Sequence, residues 1–399
     1  MTASVIRPPV GGERQTFVAV ELVNGTTPVA ATWYELPNNG GAGVAEEIDT
    51  TESEELTPFL GTNDIIKVQT NGSFNYDFEM FRDDAVGSHT LFFESLLSNK
   101  FAGSVLTNGT DDSETLVIED GIASTQNFIH VNSAYATAFS LSVSNGEIAT
   151  GSWEGTGTPS LSPVTIVVGV ADVTFTAPNS IDLGVGNLPA TVVAGNYILV
   201  EGAADTSNNG YYKIASLGGA DEVLVDGVIA LSATDSPTMT FSGQTVIDGG
   251  ATKTPNAKHP KMKAGDFITA TIDGFDVLDF GLRFTNATIN IARTREDLFE
   301  ITVDKSFASA ATEFTSTVEF EWHQINDDLI RRLENETEHA LIIKLNSIDG
   351  RSIQFEFPRG KFSAGAFGSA SKTAVLAGTS TYTALLNTSN EMVKITYAP

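Results

Sequence analysis

Cysteine is absent from all 399 residues, which removes disulfide staples, thiol nucleophiles and thiolate metal sites. It also fits a chain made in a bacterial cytosol. Basic residues are scarce: 22 Lys and Arg stand against 50 Asp and Glu, for a net charge of −28. Proteins that grip nucleic acid through its phosphates carry a basic stripe, so specific DNA or RNA binding is not expected. No apolar run approaches the roughly 20 residues that cross a bilayer. The opening MTASVIRPPVGGERQ has no apolar stretch of the signal-peptide kind, so neither a membrane nor a secretion signal is expected. The usual catalytic signatures are missing too: there is no GxSxG elbow, P-loop, HExxH or EF-hand loop. His89, His130, His259, His323 and His339 show no ligand spacing. No carboxylate pair or aromatic platform suggests a glycosidase. The expectation is a protein that is not an enzyme and has no cofactor or metal.

What is present is strand material. Hydrophobic residues make up 41% of the chain, too many for a disordered polymer. Residues 74–81 alternate Phe74, Tyr76 and Phe78 with polar residues. Residues 314–322 do the same with Val318, Phe320 and Trp322, and 353–357 (IQFEF) alternates as well. Further strands are expected at 29–36, 115–119, 128–131, 137–144, 147–153, 277–285, 340–346 and 373–386. Two helices are predicted. One spans 88–100, with Ser88 as cap and a stripe of Leu91, Phe92, Leu96 and Leu97. The other spans 325–336, with Asn326 as cap, Asp327 and Asp328 in its first turn, and Ile325, Leu329, Ile330 and Leu333 on one face.

The order strand, helix, strands then occurs twice, which divides the chain into 1–158, 159–248 and 249–399. The three segments carry net charges of −17, −8 and −3, an asymmetry that points to different partners. The middle segment holds one lysine, Lys213, and no arginine. Its short strands, at 164–177, 196–202, 210–216, 221–227 and 237–243, suit an inserted small β-barrel or immunoglobulin-like domain. The Gly-rich GVGNL at 184–188 is turn material, and the polar 249–263 reads as a return linker.

The sharpest local feature is EEIDTTESEE at 46–55, with Glu46, Glu47, Asp49, Glu52, Glu54 and Glu55. It reads either as a solvated loop or as a long loop that docks on another subunit. The corresponding place in the last segment, 291–305, holds Arg293, Arg295 and Lys305. An acidic loop of one ring meeting a basic loop of the next would set register by charge complementarity.

Ile118-Glu119, Phe128, Ser140 to Val143, Gly146, Ile148 and Thr150 to Trp153 together resemble a motif of the major tail tube proteins of long, non-contractile-tailed (siphovirus-type) bacteriophages. Trp153 stands where that motif has Phe. In the last segment the strand from Asp276 and Val277 to Phe284-Thr285-Asn286 is similar to the companion part of that family. So are the run Phe355-Glu356-Phe357-Pro358-Arg359, as a strand end, and the run Tyr382-Thr383-Ala384-Leu385, as a terminal strand. The likeness covers 65–158 and 266–399.

The resemblance implies a mainly β fold: two tandem tail-tube-type β-sandwich units, each with one flanking helix, plus the insert. It implies a structural virion protein whose rings stack into a tail tube for DNA ejection. Rings would be pseudo-hexameric homotrimers, with true hexamers as the alternative. Implied partners are the chain itself, a tape-measure protein, tail terminator and baseplate proteins, and genomic DNA that passes through the lumen unbound. Rival readings are another tail, baseplate or decoration protein, and a secreted β-sandwich adhesin.

Overall fold

The computed structural model describes residues 14–21, 28, 31–37, 39–52, 65–83, 86–110, 115–122, 127–144, 146–160, 164–167, 173–188, 192, 194, 196–219, 221–242, 252–255, 260–262, 268–276, 283–299, 306–324, 337–367 and 378–398. The protein is mainly β, with large antiparallel sheets and one α-helix among the described residues.

The first segment contributes β1 (Arg14–Val20), β2 (Thr32–Glu35), β3 (Gly40–Glu52), β4 (Ile65–Glu79), α1 (Ser88–Leu97), β5 (Val105–Thr107), β6 (Leu116–Ile122), β7 (Asn127–Ser144) and β8 (Thr150–Ser160). The alternation read at 74–81 is real: Phe74, Tyr76 and Phe78 are buried on β4. The strands expected at 128–131 and 137–144 are one strand, β7, which carries a left-handed residue at Ser133 (φ 50°).

Helix α1 ends at Leu97 rather than at 100, with Ser98 left-handed as its C-cap, and it differs from its expected form in two further ways. Its cap is Gly87, not Ser88, and a glycine has no side chain with which to cap. The Asp83 carboxylate takes over, accepting from Thr90 N at 2.7 Å and from Thr90 Oγ1 at 3.1 Å. A Cβ on Gly87 would lie 2.3 Å from Asp83 Cγ, so glycine is what lets that carboxylate reach the helix. Nor is the helix one-sided: all its residues except Glu94 are buried, as expected of a helix enclosed by a core. The second helix, expected at 325–336, lies outside the described residues.

The middle segment forms its own sheet from β9 (Val164–Val167), β10 (Val173–Thr176), β11 (Ser180–Asp182), β12 (Tyr197–Glu201), β13 (Gly210–Leu217), β14 (Glu222–Val225), β15 (Ser232–Asp235) and β16 (Thr238–Ser242). The order is β15-β10-β11-β14-β13-β12-β16-β9. β13 pairs with β12 through its first half and with β14 through its second, with an irregularity between Ile214 and Ser216. Such a break lets a strand pass from one packed layer to another. A separate hydrophobic cluster fills the layers, with Phe175, Ile198, Ile214, Val223 and Phe241 among its buried members. β11 and β15 were not legible in the sequence, being short and poor in apolar residues. The GVGNL stretch is a turn, with Gly184 and Gly186 at φ 75° and 80°.

The last segment contains β17 (Thr252–Thr254), β18 (Ile268–Ile272), β19 (Phe275–Asp276), β20 (Arg283–Phe299), β21 (Ser306–Gln324), β22 (His339–Asn346), β23 (Ser352–Phe367), β24 (Gly378–Ala384) and β25 (Lys394–Ala398). Three expectations are corrected here. The presumed linker contains β17, which pairs parallel with β2, and its Met262 exchanges backbone bonds with Met80 and Ala149. Phe355 to Arg359 sit within β23 rather than at a strand end. β24 is followed by β25, which returns to pair with β5 of the first segment. One hydrophobic cluster serves both segments: the Phe139 and Phe355 rings lie 5.8 Å apart, and the Phe93 and Phe355 rings 6.1 Å. Among the described residues no helix is long and apolar enough to cross a membrane.

The pairing scheme of the first segment recurs in the last. β1 pairs with β2 and β6, β6 with β7, β7 with β8, β8 with β4, and β4 with β3. Likewise β18 pairs with β19 and β22, β22 with β23, β23 with β24, β24 with β21, and β21 with β20. All these pairings are antiparallel. The irregularities recur as well. β7–β8 shifts between Ala136 and Ala138, and β23–β24 between Phe362 and Ala364. β3–β4 shifts between Asp49 and Thr50, and β20–β21 between Thr294 and Arg295. Counting out from these marks sets Phe74, Tyr76 and Phe78 level with Val318, Phe320 and Trp322.

Candidate functional site

The described part of the acidic run, 46–52, is strand rather than loop. Glu46, Glu47, Asp49 and Glu52 stand on β3, opposite Gly72, Asn71, Gln69 and Ile65 of β4. Glu54 and Glu55 lie outside the described residues. A charge run reads as solvated coil by composition, but charge is equally at home on an edge strand, where it discourages indiscriminate pairing. The described part of the basic stretch, 291–299, is strand too: Arg293 and Arg295 lie on β20, opposite Phe314 and Ala311 of β21. Lys305 lies outside the described residues. In the recurring scheme Arg293 and Arg295 occupy the places of Ile48 and Thr50.

Both arginines make contacts within the chain. Arg293 donates through Nη1 to Ser98 Oγ at the C-cap of α1, where a cation meets the negative end of the helix dipole. Arg295 lies over the Tyr135 ring, 3.6 Å from its centroid. With Thr137, Thr156, Ala292 and Thr294 they line a shallow groove of about 300 Å³.

The two segments are joined by β7 and β20, antiparallel from Asn286 opposite Ser144 to Ala292 opposite Ala138. Phe139, Leu141, Ala287, Ile289 and Ile291 turn into the core from this joint. On its other face Ser140 Oγ donates to Asn290 Oδ1 at 2.9 Å, and Ser142 and Ser144 donate to Asn286 Oδ1 at 3.3 and 3.4 Å. The joint completes a run of eight antiparallel strands, β3-β4-β8-β7-β20-β21-β24-β23. At its ends, the outer edge of β3 and that of β23 beyond Gly360 pair with no strand among the described residues.

An ionic fork positions β3. Arg14 donates to Asp120 through Nε at 2.9 Å and Nη2 at 2.5 Å, and Thr16 Oγ1 donates to the same carboxylate at 3.1 Å. Asp120 also accepts a long bond, 3.3 Å, from Val44 N. Gly43 (φ 77°) makes room for the fork, since a Cβ there would lie 1.5 Å from Arg14 Nη2. The bond to Asp120 raises the Arg14 pKa, and burial foremost, with Asp120 adding, holds the Tyr76 phenol protonated.

Three histidines, His89, His130 and His339, have described side chains, and each is held within the fold. His89 is enclosed by Phe78, Phe81 and Trp153 and accepts from Trp153 Nε1 at 3.0 Å; burial lowers its pKa to about 3. His130 is lowered to about 4, also by burial. His339 Nδ1 lies 2.6 Å from Asp273. Among the described residues no three His, Asp or Glu side chains gather as a metal would need. No protein-family model and no curated protein matches the chain.

The sequence reading missed the Ser/Asn ladder, the Arg14–Asp120 fork and the open edge of β23. Serine at every second place from 140 to 144 marked the first, and the small-residue run Ala364-Gly365-Ala366 marked the last. The fork joins residues 106 apart and left no local sign.

Proposed function

We propose that this chain is a structural virion protein that assembles with copies of itself into stacked rings, the tail tube of a siphovirus-type phage. The repeated pairing scheme would be two tandem tube-type sandwich units, and three chains would supply the six units of a ring; six chains per ring is the alternative. The observation that carries the reading is an eight-strand antiparallel run that ends in two strand edges, each equivalent to an edge already joined inside the chain. Such edges favour association until they are covered or closed on themselves. The motif resemblance at 115–155 supplies the tail assignment. The middle segment, with its own sheet and core, would sit outside the wall.

The excess of acid suits a conduit. DNA carries about one phosphate per 1.7 Å and is held by basic surfaces through counterion release, so an acidic bore would let it slide past after the tape-measure protein has left. Terminator and baseplate proteins would close the two ends. Glu46, Glu47, Asp49, Glu52, Glu54 and Glu55 remain candidates for the contact between rings, facing the level of Arg293, Arg295 and Lys305.

Negative-stain microscopy of the purified chain tests the proposal. Rings or long hollow tubes with three-fold symmetry are expected. Monodisperse globules at all concentrations would overturn it, and six-fold rings with one chain per unit would overturn the trimer.

A further inference from the structure

The joint between β7 and β20 is a template for a second joint that the chain cannot make with itself. In the recurring scheme β23 is the equivalent of β7, and β20 is the equivalent of β3. The partner edges left over are therefore β23 and β3, at opposite ends of the eight-strand run. Seven strand spacings of about 4.8 Å put roughly 34 Å of sheet between them, so one chain does not bring them together by pairing neighbours.

We infer that β3 of one copy pairs antiparallel with the second half of β23 of a neighbouring copy, in a register copied from β7–β20. This rests on the reading that the chain self-assembles, but not on its belonging to a phage tail. The shift marks fix the register. Ala138 and Ala364 each follow the irregularity with the neighbouring hairpin strand, and Ala292 and Glu47 each lie two places before theirs. Ala138 opposes Ala292 inside the chain; hence Ala364 opposes Glu47. Gly365 then opposes Glu46, Ala366 opposes Ala45, and Phe367 opposes Val44.

Three features favour a second copy as the occupant. The same pair of equivalent edges already joins within the chain. The places of Ser140 and Asn290, which hydrogen-bond across the internal joint, are taken by Ala366 and Ala45, so this joint relies on backbone bonds. The Ala364-Gly365-Ala366 run puts no bulky side chain opposite Glu46 and Glu47. The Val44 amide would exchange its 3.3 Å bond to Asp120 for one to the new strand. The contact is head-to-tail, so it propagates to a closed ring or a filament.

Introduced cysteines would be the only thiols in the chain, which makes crosslinking a direct test. In this register Ala45 and Ala366 form a non-hydrogen-bonded pair, whose Cα atoms lie about 4.5 Å apart, within the range a disulfide spans. The double variant Ala45→Cys/Ala366→Cys should give a ladder of crosslinked multimers on mild oxidation, lost on reduction. A mixture of the two single variants should give dimers only, and each single variant alone should give none. Ala45→Cys/Gly365→Cys, displaced by one residue and so on opposite faces, should give no crosslinked ladder.

Rings or tubes in the microscope without crosslinking would refute this register and leave the assembly reading standing. A ladder without rings or tubes would support the joint and refute the tube. A crosslink from Ala45→Cys alone would mean that like edges pair, and would overturn the inference. Should the variants not fold, hydrogen exchange on the unaltered chain decides. The edge-facing amides, those of Val44 and Glu46 on β3 and of Gly365 and Phe367 on β23, should slow at least about tenfold on assembly, and unchanged exchange there would overturn the joint.

Discussion

Lowering the pH should unfold the shared core of the first and last segments through His89, by an amount that can be worked out. The ring is fully buried, accepts from Trp153 Nε1, and has its pKa lowered from 6.5 to about 3, first by burial and then by the charge of Lys261. In the unfolded chain the same imidazole titrates near its ordinary value. Above pH 6.5 neither state binds the proton and the full stability is present. Between 6.5 and about 3 the unfolded state takes up a proton that the folded state refuses, so stability falls as pH falls. Each pH unit costs about 1.4 kcal/mol, or about 3.5 kcal/mol between pH 6.5 and 4. His130, lowered to about 4 by burial, adds a loss of the same sign.

The control is His89→Phe. It keeps an aromatic ring among Phe78, Phe81 and Trp153 but leaves the indole N–H without its acceptor, at about 1–3 kcal/mol near pH 7. Urea unfolding followed by tryptophan fluorescence at pH 4 to 7 should show the variant weaker than the parent near neutrality and less sensitive to acid by about one proton. Equal pH slopes in the two proteins would refute the reasoning, as would an NMR titration of the His89 ring near 6.5.

Four further outcomes are expected. Gly155→Ala would put a Cβ 2.1 Å from Phe74 Cζ and 2.2 Å from the Tyr135 carbonyl oxygen, so it should lower stability by at least about 2 kcal/mol in thermal melts. Asp120→Ala leaves Arg14, 23% exposed, without its fork; a loss of about 2–3 kcal/mol is expected, below the fully buried case because water reaches the guanidinium. That variant should also speed exchange of the Val44 amide. A double-mutant cycle of Ser140→Ala and Asn290→Ala should return a coupling of about 0.5–1.5 kcal/mol across the β7–β20 joint, and a coupling near zero would remove the ladder from the account of that joint. Residues 159–248 expressed alone should unfold cooperatively, since their cluster is separate from the main core.

Period-two alternation carries the strand class by itself, because a pleated strand with one buried face needs nothing beyond its own residues to show it. Phe74, Tyr76 and Phe78, and likewise Ile353, Phe355 and Phe357, were legible for that reason and are buried. The order of elements led to the expectation of a repeated unit; what the described residues show of it is the recurring strand pairing. Composition pointed to a loop where 46–52 are strand, since a Glu-rich run suits an edge strand as well as a loop. Partners distant in the chain were beyond local reading. The union of β7 with β20, the return of β25 to β5, the Asp120 fork and the enclosure of α1 each depend on surfaces that exist only once the sheets have packed. The open edges of β3 and β23 belong to that class most of all. An edge is defined by which neighbour is missing, and only the assembled sheet says which neighbours are there.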